Sequence, residues 1–283
     1  MKSQKGDAPS AVLANEAPFH PRGFWRDSAS FLSKTLAIVE VDIRKLRHDY
    51  IELITRAFQP ALWLLVFGGV FGRLRAIPSG ELSYRAFLAP GVLAQSVLFI
   101  AIFYGIAIIW ERDLGIVHKL LVSPTPRSAI VLGKGLAAGI RGMAQCFIIY
   151  LLACLLHIPI NWSPFALLGV AIFVVLGAAL FSTFSLGIAC IVKTRERFMG
   201  IGQMLTMPTF LISNAIYPIS IMPGWMRALA RFNPLSYEVD ALRGLMPMGG
   251  TCHSGLGVDF AVLLCVTILL VFVGSRLYPR VAM

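Results

Sequence analysis

Few residues in this sequence have the types and spacing for covalent chemistry. Glu238 and Asp240 are the best acid pair, suited in principle to an enzyme acting on lipids. Two residues apart on a helix they do not share a face, which makes them a poor acid/base pair. Cys252-His253 supplies half of a metal site, and nothing nearby in the sequence completes it, so no metal is expected. The five cysteines (Cys146, Cys154, Cys190, Cys252 and Cys265) lack short paired spacing, and four lie in apolar runs, where they read as packing residues. Gly133-Lys134 is followed by Gly135 and lacks the upstream glycine of a Walker A loop, so this chain is not expected to hydrolyse ATP by itself. Neither His-Glu-x-x-His nor Gly-x-Ser-x-Gly occurs. His157, at a span end, reads as a helix terminator or interface residue rather than a ligand. No catalytic residue and no bound cofactor is expected.

The elements around these residues explain the lack. The composition is 57% hydrophobic and 14% charged, with a mean hydropathy of +0.77, where soluble domains are roughly a quarter charged. Lipid must be the solvent for much of this chain, which gives an all-α integral membrane fold. Charge-free stretches mark six spans: Ala57–Gly72, Ala86–Trp110, a third ending near Leu156, a fourth from about Phe165, Phe198–Ile219 and Phe260–Ser275. The third and fourth are split at His157–Pro164, where two prolines and polar residues make a turn. Of the 25 Lys and Arg residues, 17 fall on the side of the termini and six on the other. The positive-inside rule therefore places both termini in the cytoplasm. The net charge of +11 is then a topology signal, and no nucleic-acid partner is expected. The two N-terminal lysines have no apolar core behind them, so no cleavable signal peptide is expected.

All fourteen Asp and Glu residues fall outside the span cores, which counts against a self-sufficient ion-driven carrier. Arg141 is the nearest exception, and a place near the cytoplasmic end would let it snorkel. Glycines four apart, Gly68 with Gly72 and Gly135 with Gly139, suit close helix packing. Residues 1–33 are polar and without periodicity, and read as a flexible cytoplasmic tail. In residues 34–56 the apolar side chains recur at three and four, with Arg44, Lys45, Arg47 and His48 among the polar positions. That pattern predicts an amphipathic helix in the cytoplasmic headgroup layer. Residues 220–247 contain two half-apolar segments with Trp225, Arg227 and Arg231, suited to short outer re-entrant helices.

The cytoplasmic loop 111–127 is dense in charge, with Glu111, Arg112, Asp113, His118, Lys119 and Arg127, and it contains Gly115. A mere connector would not need Ile116, Val117, Leu120 and Leu121, whose apolar face wants a partner. This stretch resembles the loop of type-2 ABC exporter permeases. Ser123-Pro124-Thr125-Pro126-Arg127 and Leu132-Gly133-Lys134 match the family pattern, while Glu111-Arg112 inverts its usual order and Ile116 replaces its threonine. Tyr217-Pro218, Pro223-Gly224-Trp225 and Asn233-Pro234-Leu235-Ser236-Tyr237-Glu238-Val239-Asp240-Ala241-Leu242-Arg243 resemble the outer signature of the branch holding daunorubicin-resistance permeases and the nodulation lipo-oligosaccharide exporter.

The resemblance covers about residues 34–280. It implies a homodimer of six-span subunits (57–283) in a bacterial plasma membrane, in contact with lipid. Two copies of a separate ABC ATPase would carry ATP and Mg. It makes 34–56 the interface helix, 111–127 the coupling loop and 220–247 the outer re-entrant segment. Glu111, Arg112, Asp113, Gly115, His118, Lys119, Leu120 and Arg127 become ATPase-coupling candidates. An amphipathic or lipid-linked cargo would leave the cytoplasm or inner leaflet along a path lined by spans one, two and five. The polar and aromatic candidates there are Gln59, Gln95, Ser96, Gln203, Thr206, Phe210, Ser213, Asn214 and Tyr217. A lipid-modifying membrane enzyme or an assembly factor is the alternative.

Overall fold

The computed structural model describes residues 31, 33–40, 55, 58–74, 82–117, 122, 126–192 and 194–278. Among these the chain is helical, and the one β-bridge joins Ile160 and Pro247 between two loops. Residues 33–40 are helical, and α1 is the apolar helix Phe58–Gly72, with a π-helical turn at Trp63–Phe67. Four helices are long and apolar enough to cross a bilayer: α2 (Tyr84–Asp113), α3 (Arg127–Leu155), α4 (Pro164–Ile191) and α8 (Leu256–Leu277). Between α4 and α8 lie α5 (Arg195–Ile212), α6 (Gly224–Phe232) and α7 (Pro234–Leu245).

Among the described residues, four of the six expected spans are helices long and apolar enough to cross a bilayer, and helices also lie at the first and fifth. The first is described from Phe58 and stays helical to Leu74. The fifth stops at Ile212 instead of Ile219. There the Ser213 hydroxyl donates to the Phe210 carbonyl at 2.7 Å and accepts the Ala215 N–H at 3.3 Å, turning the chain out of the helix.

The break between α3 and α4 falls where expected. His157 takes φ +53°, with its N–H on Cys154 O and the Ile158 N–H on Ala153 O. This left-handed ending returns bonds to the last helical carbonyls and confirms His157 as a terminator. Asn161 Oδ1 accepts the Ser163 N–H at 3.0 Å, and Pro164 opens α4 at a position that needs no N–H donor.

Helix α4 is central, packed against α2, α3, α7 and α8, while α2 also meets α5 and α7. Gly139 and Gly142 of α3 sit directly against Val175 and Val174 of α4, so the two backbones approach closely. The larger core runs through α2, α3, α4 and α7. A smaller one gathers Ile108, Val117, Ile130, Phe198 and Tyr278 at the end where α2 stops and α3 begins. Arg141 lies midway along α3, about 21 Å from either end and 5.1 Å from the Tyr104 ring centroid. It is deeper than its expected place near one end, and the aromatic face offsets part of the cost of its charge.

Candidate functional site

At the end where α2 meets α3, three helices are tied by charge. Glu111, in the last turn of α2, accepts from Lys134 Nζ of α3 at 2.6 Å, with side chains 10% and 4% exposed. Asp113 accepts from Arg195 of α5 at 2.7 Å and from the neighbouring Arg112 at 3.0 Å. The Arg195 guanidinium also lies over Trp110, 3.4 Å from its ring centroid. A displacement of this end would thus reach α3 through Lys134 and α5 through Arg195. Neither pairing was part of the sequence expectation, because each joins residues more than twenty positions apart.

Gly115 takes φ +71° and donates to Arg112 O, ending α2 in the left-handed conformation that glycine adopts without strain. Val117 is buried in the small core, whereas Leu114 is 68% and Val122 88% exposed, and Arg127 is also exposed. His118, Lys119 and Leu120 lie outside the described residues, as do Arg44, Lys45, Arg47 and His48.

The path candidates divide. Gln59 of α1 and Gln203 of α5 are exposed. They share surfaces with Phe58, Leu62, Leu65 and Val66 on α1 and with Met199, Met204, Met207 and Leu211 on α5, all exposed and apolar. Gln95, Thr206, Phe210, Ser213 and Asn214 are buried, and Ser96 and Tyr217 half-buried. The hydroxyls of Ser96, Thr206 and Ser213 donate to carbonyls of Val92, Gly202 and Phe210 in their own helices, and Tyr217 donates to Leu211 O. Phe210 meets Trp63 edge-on at 5.5 Å and joins α5 to α1.

Four polar residues of the outer motif make identifiable contacts. Asn233 Oδ1 caps α7 by accepting the Leu235 N–H at 3.0 Å, and its Nδ2 donates to Thr209 O of α5 at 2.7 Å. Tyr237 Oη donates to Arg231 O at 2.8 Å and holds α6 to α7. Asp240 accepts the backbone N–H groups of His253 at 3.1 Å and Ser254 at 2.7 Å. Arg243 Nη2 donates to Asn214 O at 2.7 Å while its guanidinium lies over Phe87 at 3.8 Å. Burial draws Arg243 down to about 10, opposed by the charge of Asp240, and it stays a cation at neutral pH.

Glu238 and Asp240 point apart, as their spacing requires, so they form no acid pair. Glu238 is fully buried, and neither of its oxygens has a hydrogen-bond partner among the described residues. Its carboxyl fills the space that a Cβ at Gly177, midway along α4, would need. Burial pushes this carboxyl well above the usual range, which holds it as the neutral acid. An acid placed outside the spans by its sequence position is thus packed against the middle of a span. The second unanticipated group is Asp240, Cys252 and Asp259, whose donor atoms all lie within 4.8 Å of one another. The Cys252 thiol contacts Asp259 at 3.0 Å and Asp240 at 3.5 Å. Burial, the Asp259 hydrogen bond and both negative charges push it up to about 12, so the sulfur is held as a thiol. This is where a metal would find three ligands, two of them, Asp240 of α7 and Asp259 of α8, not announced by Cys252-His253 alone.

Comparison with known proteins agrees with this architecture. A transport permease named ycf38 from Cyanophora paradoxa is 28% identical over 221 residues, covering 76% of this chain and 74% of that protein. A daunorubicin resistance ABC transporter permease, DrrB1 of Streptomyces coeruleorubidus, is 25% identical over 253 residues, 89% and 87% of the two chains. DrrC of Mycobacterium tuberculosis, named for doxorubicin resistance, is 26% identical over 241 residues, 83% and 84%. The family model described as ABC-2 type transporter matches residues 33–246. With that match over most of an apolar helical chain, the protein belongs to the ABC-2 type transporter family and is a multi-pass transmembrane subunit of an ABC transporter.

Proposed function

We propose that this chain is the permease subunit of an ATP-driven exporter, working as a homodimer with two copies of a separate ATPase. The cargo is an amphipathic or lipid-linked molecule taken from the cytoplasm or inner leaflet of a bacterial plasma membrane. The observation that carries the proposal is the end where α2 meets α3. There Leu114 and Val122 are exposed, and a buried pair ties the end of α2 to α3 while a partly exposed pair ties it to α5. Exposed apolar side chains in a charged loop fit protein docking, and the two ion pairs fit transmission of a push into the bundle.

Two further features support the reading. Gln59 and Gln203 are exposed on otherwise apolar faces of α1 and α5, an arrangement unfavourable against lipid and suited to a subunit interface or cargo path. The names of relatives, two of them for resistance to daunorubicin or doxorubicin, favour an amphipathic cargo. The test is Leu114→Asp with Val122→Asp in vesicles holding the permease and its ATPase. The expected result is loss of both ATPase association and cargo-stimulated hydrolysis with the fold intact. Unchanged association and stimulation would remove this docking site from the account.

A further inference from the structure

At the opposite end of the bundle from the ion pairs, three segments converge on one point. Asp240 comes from α7, Cys252 from the 246–255 connection and Asp259 from the first turn of α8. One donor atom of each lies within 4.8 Å of the other two. The Cys252 sulfur meets Asp259 Oδ2 at 3.0 Å and Asp240 Oδ2 at 3.5 Å. A thiol has one proton to give, so it can satisfy only one of these carboxylates.

Asp259 is the least satisfied of the three. It is 0% exposed at the start of an apolar span, and its Oδ1 has no hydrogen-bond partner among the described residues. Neither Asp259 nor Asp240 joins an ion pair there. A buried carboxylate is costly unless it is paired, and this one is directed at the Cys252 sulfur. Asp240 is already oriented toward the same point, because its two oxygens accept the His253 and Ser254 N–H groups. A carboxylate has about four lone pairs, so Oδ2 keeps one for a further partner. Backbone donors behind a carboxylate fix its direction as the outer hydrogen bonds of a metal ligand do. Cys252 is half-buried, which leaves the group reachable from outside.

Charge and geometry select the guest. With Cys252 as a thiolate the three groups carry three negative charges, and the nearby Arg243 guanidinium acts on Asp240. One divalent ion cancels the remainder. A thiolate beside two carboxylates suits a borderline ion such as zinc, whereas calcium and magnesium take oxygen alone. Around a tetrahedral zinc, sulfur and oxygen ligands stand about 3.5 Å apart. The Cys252–Asp240 separation has that value, and the Cys252–Asp259 separation needs about half an ångström more. We propose that Asp240, Cys252 and Asp259 bind a zinc-class divalent cation, with water in the fourth position, and that the ion ties α7 to α8. Binding replaces the sulfur–hydrogen bond of Cys252 by a sulfur–metal bond and releases the proton to solvent, with nothing oxidised or reduced.

The test uses the full chain in detergent, purified through a tag free of histidine. Cys154→Ser with Cys265→Ser is the background throughout, because these exposed thiols are the competing soft donors. After chelator treatment the chain is titrated with zinc against a chromophoric chelator. A second titration uses cobalt while the ultraviolet thiolate-to-cobalt band is followed. Cys252→Ser and Asp259→Asn, both close in shape to the native residues, are compared in that background, and circular dichroism confirms that each folds. The expected result is one zinc per chain, bound at least about tenfold more weakly by each variant, and a cobalt band that Cys252→Ser lacks. Zinc at a hundred times its dissociation constant should also raise the ratio of folded to unfolded chain about 100-fold, read as a higher melting temperature. A background chain with neither a saturable zinc site nor a cobalt band overturns the proposal whether or not the variants fold. Equal zinc binding by the folded variants overturns it too, and displacement of zinc by equimolar calcium or magnesium overturns the ion class. No readout involves ATPase or export, so the metal site and the permease reading stand or fall separately.

Discussion

Replacing Lys134 with Met tests whether the α2–α3 end is braced by charge. The Lys134–Glu111 pair is 2.6 Å long, with both side chains at least nine-tenths buried. At an effective dielectric of about 20 the attraction is about 6 kcal/mol, much of it offset by desolvation of the two ions. Removing one partner strands the other, at a usual cost of about 3–5 kcal/mol. Glu111 has further interactions of its own, so the lower figure, about 3 kcal/mol, is expected for Lys134→Met. Glu111→Leu should cost a similar amount by stranding the ammonium. The double variant removes both ions and should fall within about 1 kcal/mol of wild type. Equilibrium unfolding in mixed detergent micelles, run on all four proteins, reads the coupling directly. Additive losses of less than about 1 kcal/mol each would show that the pair is solvated and braces nothing.

Three other outcomes follow from the same geometry. Arg195→Ala should leave stability nearly unchanged, because Arg195 and Asp113 are partly exposed, yet it should reduce cargo-stimulated ATPase by releasing α5 from α2. Unchanged stimulation would confine transmission to Lys134. Gly177→Ala should cost about 1–3 kcal/mol by overlapping the Glu238 carboxyl, and Glu238→Ala in the same chain should recover most of it. A cost that Glu238→Ala does not relieve would place the obstruction elsewhere. Glu238 is harder to ionise folded than unfolded, so its effect on stability is absent below the ordinary carboxylate pKa and destabilising as pH rises above it. Glu238→Gln should therefore flatten the fall in stability as pH rises above the ordinary carboxylate range, and an unaltered slope would show that the carboxyl is solvated.

What the sequence made legible was what local chemistry determines. Charge-free runs located the helices, and His157 with the prolines after it marked the α3–α4 turn. The outer motif announced short capped helices, and the structure supplies a partner for most of its polar residues. Long-range packing was not legible. Nothing near Glu238 in the chain says that α7 folds back against the middle of α4, because hydropathy reports composition and not depth. Glu111 looked like a free charge on a loop until Lys134, 23 residues on, was brought to it. Thr206 and Thr209 of α5 and Ser213 at its end were not legible as locally satisfied groups, but in lipid a lone hydroxyl is most cheaply satisfied by its own helix carbonyl, and all three do that.

The central claim is that a separate ATPase docks on the end of the bundle where α2 meets α3. Its most direct test is the native mass of the complex recovered when the tagged chain is co-expressed with ABC ATPases and purified in mild detergent. Two permease chains with two ATPase chains, reduced to permease alone by Leu114→Asp with Val122→Asp, is the predicted result. A wild-type chain that emerges alone, or a two-to-two complex indifferent to those substitutions, would contradict it.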